Sequence, residues 1–169
     1  MGARNVTEST VLLIKNHIKS NIDAALSELR VDRNDPKVTT EPPKDYFIYE
    51  MAHAYKTPAV FIIASNVDLL KSAGPNAIMA NVRVNVSVVV EDTDKEKLTI
   101  KAYRYQDALF SVLDQAQIVS LNNNVKLVVV AKNFTFSPMF TMNTDARASV
   151  NTFRKEVLVE CDVAHFEQP

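Results

Sequence analysis

Glycine is almost absent. The 169 residues contain two, Gly2 and Gly74, where an average protein carries about 7%. Phosphate-cradling and dinucleotide-binding loops need glycines in close succession, for positive φ and close backbone approach. This chain has no such loop, which argues against the common nucleotide-binding enzymes and leaves no cofactor to expect. A G-x-S-x-G nucleophile elbow is excluded on the same ground. Cysteine occurs once, as Cys161, so neither an internal disulfide framework nor a multi-cysteine zinc site can form. Apolar runs are short, such as Ala59 to Ala64, and none reaches the length of a membrane span. An excess of either charge is missing too: 19 basic against 20 acidic residues give a net charge of −1. No global field draws in nucleic acid or an anionic membrane, and little long-range repulsion opposes self-association. The opening MGARNVTEST lacks the apolar core of a secretory signal, and Val6 stands where myristoylation wants Ser or Thr. The expectation is a protein that is cytosolic or assembled in a cytosol.

What is present is amphipathic patterning. In Ala80 to Asp92, ANVRVNVSVVVED, Val82, Val84, Val86, Val88 and Val90 share one parity. Asn81, Arg83, Asn85 and Ser87 share the other. Side chains alternate faces along an extended chain, so this reads as a strand with one apolar and one wet face. Valine suits that surface. A one-sided sheet needs a cover, and two stretches have helical periodicity. Across Asn5 to Arg30, Val11, Ile14, Ile18, Ile22, Ala25 and Leu29 recur at steps of three and four; Asn5 and Glu8 are spaced as a capping box, and Thr7 is an equally good cap. After the valine strand, Thr93 and Glu96 form a second box, and Leu98, Ala102, Tyr105, Leu109, Val112 and Ala116 make a stripe running to about Val119. Asn122 to Asn124 is expected to end that helix, since asparagine tolerates the left-handed conformation.

Between these elements, Val31 to Asp45 is polar and carries Pro36, Pro42 and Pro43. Proline removes donors and fixes φ, so the segment reads as an extended arm, docked on a neighbouring subunit or disordered. Tyr46 to Lys56 fits a short helix or a strand, and Ala59 to Ala64 a strand. Val125 to Phe136 is a third long strand. Ser137 to Ala148, with Met139, Phe140 and Met142, reads as a loop or hairpin tip. Val150 to His165 closes the chain with Phe153, Val157, Val159, Cys161 and Val163 on one face and Glu156, Glu160 and Asp162 on the other. Together these predict one α+β domain over 1–169, of order α-β-β-α-β-β. Its mainly antiparallel sheet of about four strands is covered on one side by two helices.

No constellation of residues states a chemistry. Cys161 and His165 share a strand face but lie roughly 13 Å apart, too far for one tetrahedral zinc, so Cys161 reads as a small buried residue. Asp92 and Asp94 are best explained as charges at a helix start. Lys101 and Arg104, near Tyr103 and Tyr105, suggest single-strand nucleic-acid binding, yet Tyr105 belongs to the buried stripe and the cations suit a helix's outer face. The expectation is a protein that is not an enzyme and binds no metal.

Several stretches carry a resemblance: PPKDYFIYEMAHAYKTPAVFII at 42–63, VEDTDKEKL at 90–98 and AYRYQDALFSVL at 102–113. With the leading helix, the proline-rich arm and the two closing strands, they make the chain similar to the tail terminator, or tail completion, proteins of long-tailed bacteriophages. The resemblance covers nearly the whole chain as an order of elements, without an invariant motif. It implies a homohexameric ring, in the virion, on the head-proximal end of the tail tube. Such a ring stops tube polymerisation and presents a surface to the neck or connector protein, while genome DNA passes through its lumen without sequence-specific binding. The family has no catalytic residues to carry over.

On that footing Pro36, Pro42, Pro43, Met139, Phe140 and Met142 are candidates for inter-subunit or tube contacts. Deleting Pro36 to Pro42 is expected to spare the fold and weaken assembly. Glu156, Glu160 and Asp162 are candidates for the lumen, where like charge would keep DNA from sticking. Two other readings stand beside this one: a neck or head-completion ring, and a small α+β ligand-binding domain or enzyme, which would need a closed apolar pocket.

Overall fold

A computed structural model describes residues 5–49, 55–70, 77–142 and 151–168. The element order is α1 (Val6–Arg33), β1 (Asp45–Phe47), β2 (Ala59–Leu70), β3 (Ile78–Asp92), α2 (Lys95–Leu113), β4 (Gln117–Val119), β5 (Val125–Phe136), β6 (Phe140–Met142) and β7 (Thr152–Glu167). The four long strands start from those the hydrophobic pattern predicts, but β2 runs on past Ala64 to Leu70, through residues whose polar Asn66 and Asp68 hide a strand. Among the described residues the sheet nevertheless has seven strands rather than four, ordered β1-β2-β3-β7-β5-β4, with β6 pairing β7. The three additional strands span three residues each, too short for any periodicity to reveal. Parallel pairing of β1 with β2 makes the sheet mixed.

Its centre is β3, flanked antiparallel by β2 and β7 along nearly its full length. Val82, Val84, Val86, Val88 and Val90 are all buried against the helices. Each such valine contributes about 1.5–3 kcal/mol of hydrophobic stabilisation. The opposite face is not wet throughout. At its Ser87 and Val89 end, Val89 joins Ala59 and Phe61 in a second apolar cluster completed by Phe47 and Tyr55. Phe47 stacks on Phe61 at 5.1 Å between ring centroids.

Asn5 caps α1 by accepting from the Glu8 amide at 3.1 Å, and the Glu8 carboxylate accepts from the Asn5 side-chain amide rather than from its backbone N–H as in a capping box. The helix extends to Arg33 and stops at Asn34, whose left-handed backbone (φ 45°) is one asparagine adopts readily. Ile14, Ile18 and Ile22 are fully buried. Cap and terminus of α2 differ from expectation. Asp94, not Thr93, is the N-cap and accepts from the amides of Glu96 and Lys97 at 2.9 and 3.0 Å. A carboxylate there has the added advantage of the helix dipole. The helix ends at Leu113 because Asp114 is extended and Gln115 is left-handed at φ 59°. Ala116 and Val119, placed on the helix by the pattern, therefore lie beyond it, Val119 within β4. Asn123, also left-handed, turns the β4–β5 hairpin instead of ending a helix.

Candidate functional site

The sheet face away from the helices carries the three predicted carboxylates, all half-buried on one side of β7. Cross-strand pairing sets Asp162 beside Arg83 and Glu160 beside Asn85. The Arg83 Nε lies 3.4 Å from Asp162 and 3.5 Å from Glu160, and Lys132 Nζ is 3.6 Å from Asp162. Two cations thus balance two carboxylates, so this patch is electrically mixed rather than an acidic stripe. Glu156 lies further along, opposite Val89 on β3.

The proline-rich segment has an internal role that the sequence did not show. Val38 and Thr40 are buried, as is Pro43, while Pro36 and Pro42 are exposed. Arg104 is buried rather than on an outer helix face, and its guanidinium donates to the Val38 carbonyl and the Asp35 carboxylate, both at 3.0 Å. The Tyr105 hydroxyl donates to the Glu41 carbonyl. Burial, with the nearby Glu41 charge, pushes that phenol far above its usual range, so it stays a donor. The segment is strapped to α2.

A cleft of about 270 Å³ lies under the end of this strap, bordered by Glu41, Lys44, Glu91, Asp92, Lys101 and Tyr105. Its charges are already paired. Lys101 Nζ sits 2.5 Å from Asp92, Arg154 donates to Glu91 through Nε at 2.7 Å, and Lys44 meets Glu41 at 3.0 Å. Burial works against the Asp92 charge, but Lys101 and the Asp94 amide outweigh it and hold the carboxyl below its ordinary range. Asp92 is therefore an ion-pair partner of α2, while Asp94 serves as a helix-start charge, with Glu96 in the first turn.

Cys161 and His165 are both fully buried on the helix side of β7. Burial pushes the Cys161 thiol up to about 12. The His165 Nδ1 lies 2.8 Å from the Thr10 hydroxyl of α1. Among the described residues no group of three His, Cys, Asp or Glu is placed to hold a metal ion. His17 bridges the helices, its Nε2 3.0 Å from the Val112 carbonyl; His53 lies outside the described residues.

The predicted loop Ser137 to Ala148 begins with structure. The Ser137 amide donates to the Glu156 carbonyl and the Ser137 hydroxyl accepts from the Glu156 amide, and β6 pairs Phe140 with Arg154 and Met142 with Thr152. Met139 packs on the core, Phe140 is exposed and Met142 half-buried; positions 143–148 lie outside the described residues. Beside this strand runs a feature that sequence reasoning missed. Tyr103 and Phe110 project from α2 onto β5, Tyr103 edge-on to Phe136 at 5.3 Å and Phe110 against Phe134 at 5.7 Å. Their seven-residue spacing, off the buried stripe, was the available signal.

No family model and no curated protein matches the chain. Among solved structures it is similar to a chain of the virion of a native gene transfer agent particle, at 11% identity, 87% coverage of this chain, 94% of that one and a TM-score of 0.34. At that degree of superposition neither fold nor role follows from the likeness.

Proposed function

We propose that this chain is a structural subunit of a bacteriophage tail. It acts as a tail terminator that forms a ring on the head-proximal end of the tail tube, stops tube polymerisation and joins the tail to the neck. The observation that carries the reading is the one-sided sheet. Two helices cover one face, and the other presents Arg83, Lys132, Glu160 and Asp162 in balanced pairs. Turned to a lumen, such a face neither binds a phosphate backbone strongly nor repels it, which suits DNA in transit. Glu156, Glu160 and Asp162 are the lumen candidates on this reading. The exposed Pro36, Pro42 and Phe140, with Met142, remain contact candidates, whereas Pro43 and Met139 are occupied within their own chain. The likeness of 42–63, 90–98 and 102–113 to tail terminators supports the same role. The pairing of charges in the cleft beside Lys101 supports a part without chemistry.

The test is mass in solution by light scattering over a range of concentrations, followed by negative-stain imaging with and without purified tail tubes. Rings, free or on the ends of tubes, are expected. Rings that bind the portal side and ignore tubes would move the assignment to a neck protein. A monomer indifferent to tubes would overturn it.

A further inference from the structure

Among the described residues the sheet has two open strand edges, and both are stepped. On one side β1 covers β2 only at Ala59–Phe61, so among the described residues Ile62 to Leu70 has no strand beside it there. On the other side β4 covers β5 only at Lys126–Val128. The Val129 and Ala131 amides are taken by the Ala116 carbonyl and the Asp114 carboxylate. Beyond them Asn133 to Phe136, then β6, form one edge along β7 that is open among the described residues. An unpaired edge is a template for another strand.

The two edges match. On the helix side of β2, Leu69 is 72% exposed and Val67 half-buried. On the helix side of the other edge stand Phe134 and Phe136 with Phe110 and Tyr103, the last two 44% and 50% exposed. Asp68 is the single ionisable residue of β2, while β5 carries only Lys126 and Lys132. Directions agree as well. β2 opposes β3, β3 opposes β7, and β7 opposes β5. A second copy set alongside in the same orientation therefore brings its β2 antiparallel to β5.

We propose that each edge is completed by a second copy of this chain: β2 of one protomer adds antiparallel to the β5–β6 edge of the next. Val67 then faces Phe136, Leu69 faces Phe134 and Asp68 faces Thr135. This specifies the junction of the ring proposed above and rests on that reading. The register follows from the pleat. A slip of one residue would turn Asp68 onto the apolar rim, whereas this alignment puts Val67 and Leu69 there and leaves Asp68 on the bare face within reach of Lys132. Leu69 covers the Phe134–Phe110 pair, and Val67 the Phe136–Tyr103 pair. Counted through β3 and β7, each copy moves about six residues, roughly 20 Å, along the strands. Four long strand positions per copy span about 19 Å across. The strands therefore lean roughly 45° from the ring axis, at the upper end of the range closed barrels use. The step also leaves β1 of the next copy beyond β6. A head-to-tail junction of this kind makes a ring when its rotation closes.

Paired cysteines test it. Asp68 and Thr135 are exposed, and Cys161 is buried and silent. Under mild oxidation the double variant Asp68→Cys/Thr135→Cys should give a ladder of covalent multimers ending at the ring. A mixture of the two single variants should stop at a covalent dimer that requires both. Rings visible in the microscope without this coupling would overturn the junction and leave the ring reading standing; a monomer at every concentration, tubes included, would overturn both. Independently, Leu69→Glu should weaken assembly at least tenfold and leave the monomer's unfolding midpoint unchanged, because Leu69 is exposed there. Assembly unaffected by that change would also overturn the junction.

Discussion

The Arg104 guanidinium and the Val38 carbonyl meet at 3.0 Å across 66 residues of sequence, and both residues are buried. That contact turns a proline-rich stretch into part of the fold. A buried guanidinium stripped of its acceptors carries a large desolvation penalty.

Arg104→Ala should therefore lower unfolding free energy by about 1.5–3 kcal/mol, the usual worth of hydrogen bonds to a charged group. Asp35 is partly exposed, which keeps the effect from the upper range for buried pairs. Denaturant titration measures the loss, and faster amide exchange across Lys37 to Lys44 locates it. Deleting Pro36 to Pro42 removes Val38 with its carbonyl, so the expectation of an intact fold no longer holds. That deletion should destabilise the monomer at least as much as Arg104→Ala. An unfolding midpoint equal to the parent's would disprove the strap.

Adjacent positions on α2 should separate core from surface. Leu109 is fully buried and Phe110 is 44% exposed. Leu109→Ala leaves a cavity in the core and should cost about 2–5 kcal/mol. Phe110→Ala gives up one exposed ring contact and should cost under about 1 kcal/mol. Equal losses from urea midpoints would show that Phe110 is structural rather than a surface feature.

Cys161 should be inert in the native protein. Its thiol is fully buried and pushed up to about 12, so little thiolate exists at neutral pH. Titration with a thiol reagent should show no fast reaction until denaturant is added, and then one equivalent. A fast native phase would mean that β7 opens beneath α1 and α2.

The long elements were legible because periodicity reports a covered face. The valines of β3, the isoleucines of α1 and, in β7, Val157, Val159, Cys161 and Val163 are buried as their spacing predicts, with Phe153 only half-buried. What escaped was set by pairing rather than by local sequence. Three-residue strands such as Gln117–Val119 exist because a neighbour offers an edge. Arg104 carries no local sign that a carbonyl from 66 residues away will bury it. The carboxylates of β7 were placed on the right face of the strand, but their partners Arg83 and Lys132 come from other strands. One-strand reasoning saw a single sign of charge where the sheet holds both.

That mixture of charge gives a prediction. Arg83 is half-exposed, so its two ion pairs contribute about 0–1 kcal/mol each at most, and Arg83→Ala should hardly change stability. It should instead leave Glu160 and Asp162 with Lys132 alone, making the bare face net acidic. Electrophoretic mobility of the folded protein should rise toward the anode by one charge, and any retention on immobilised DNA should fall. A loss well above 1 kcal/mol would mean that the arginine organises the sheet.

His165 gives the chain a pH dependence whose sign follows from its surroundings. Burial lowers its pKa from the ordinary 6.5, and the Glu167 carboxylate, 3.5 Å from Nε2, opposes that shift without cancelling it. The neighbour at Nδ1 is the Thr10 hydroxyl, which is neutral. In the unfolded chain the imidazole takes a proton as pH falls below 6.5, while the folded chain resists until a lower pH. The unfolded state then binds more protons, so stability falls with pH across that window. Above 6.5 both states hold the ring neutral and the contribution is complete. Urea midpoints measured between pH 8 and 5 should decline below about 6.5, the unperturbed histidine value. In His165→Gln the part of the decline linked to this histidine should disappear. Thr10→Val, which removes the hydroxyl partner but leaves the burial, should keep the direction of the effect. An identical pH profile in the parent and His165→Gln would show that this histidine does not couple folding to protons.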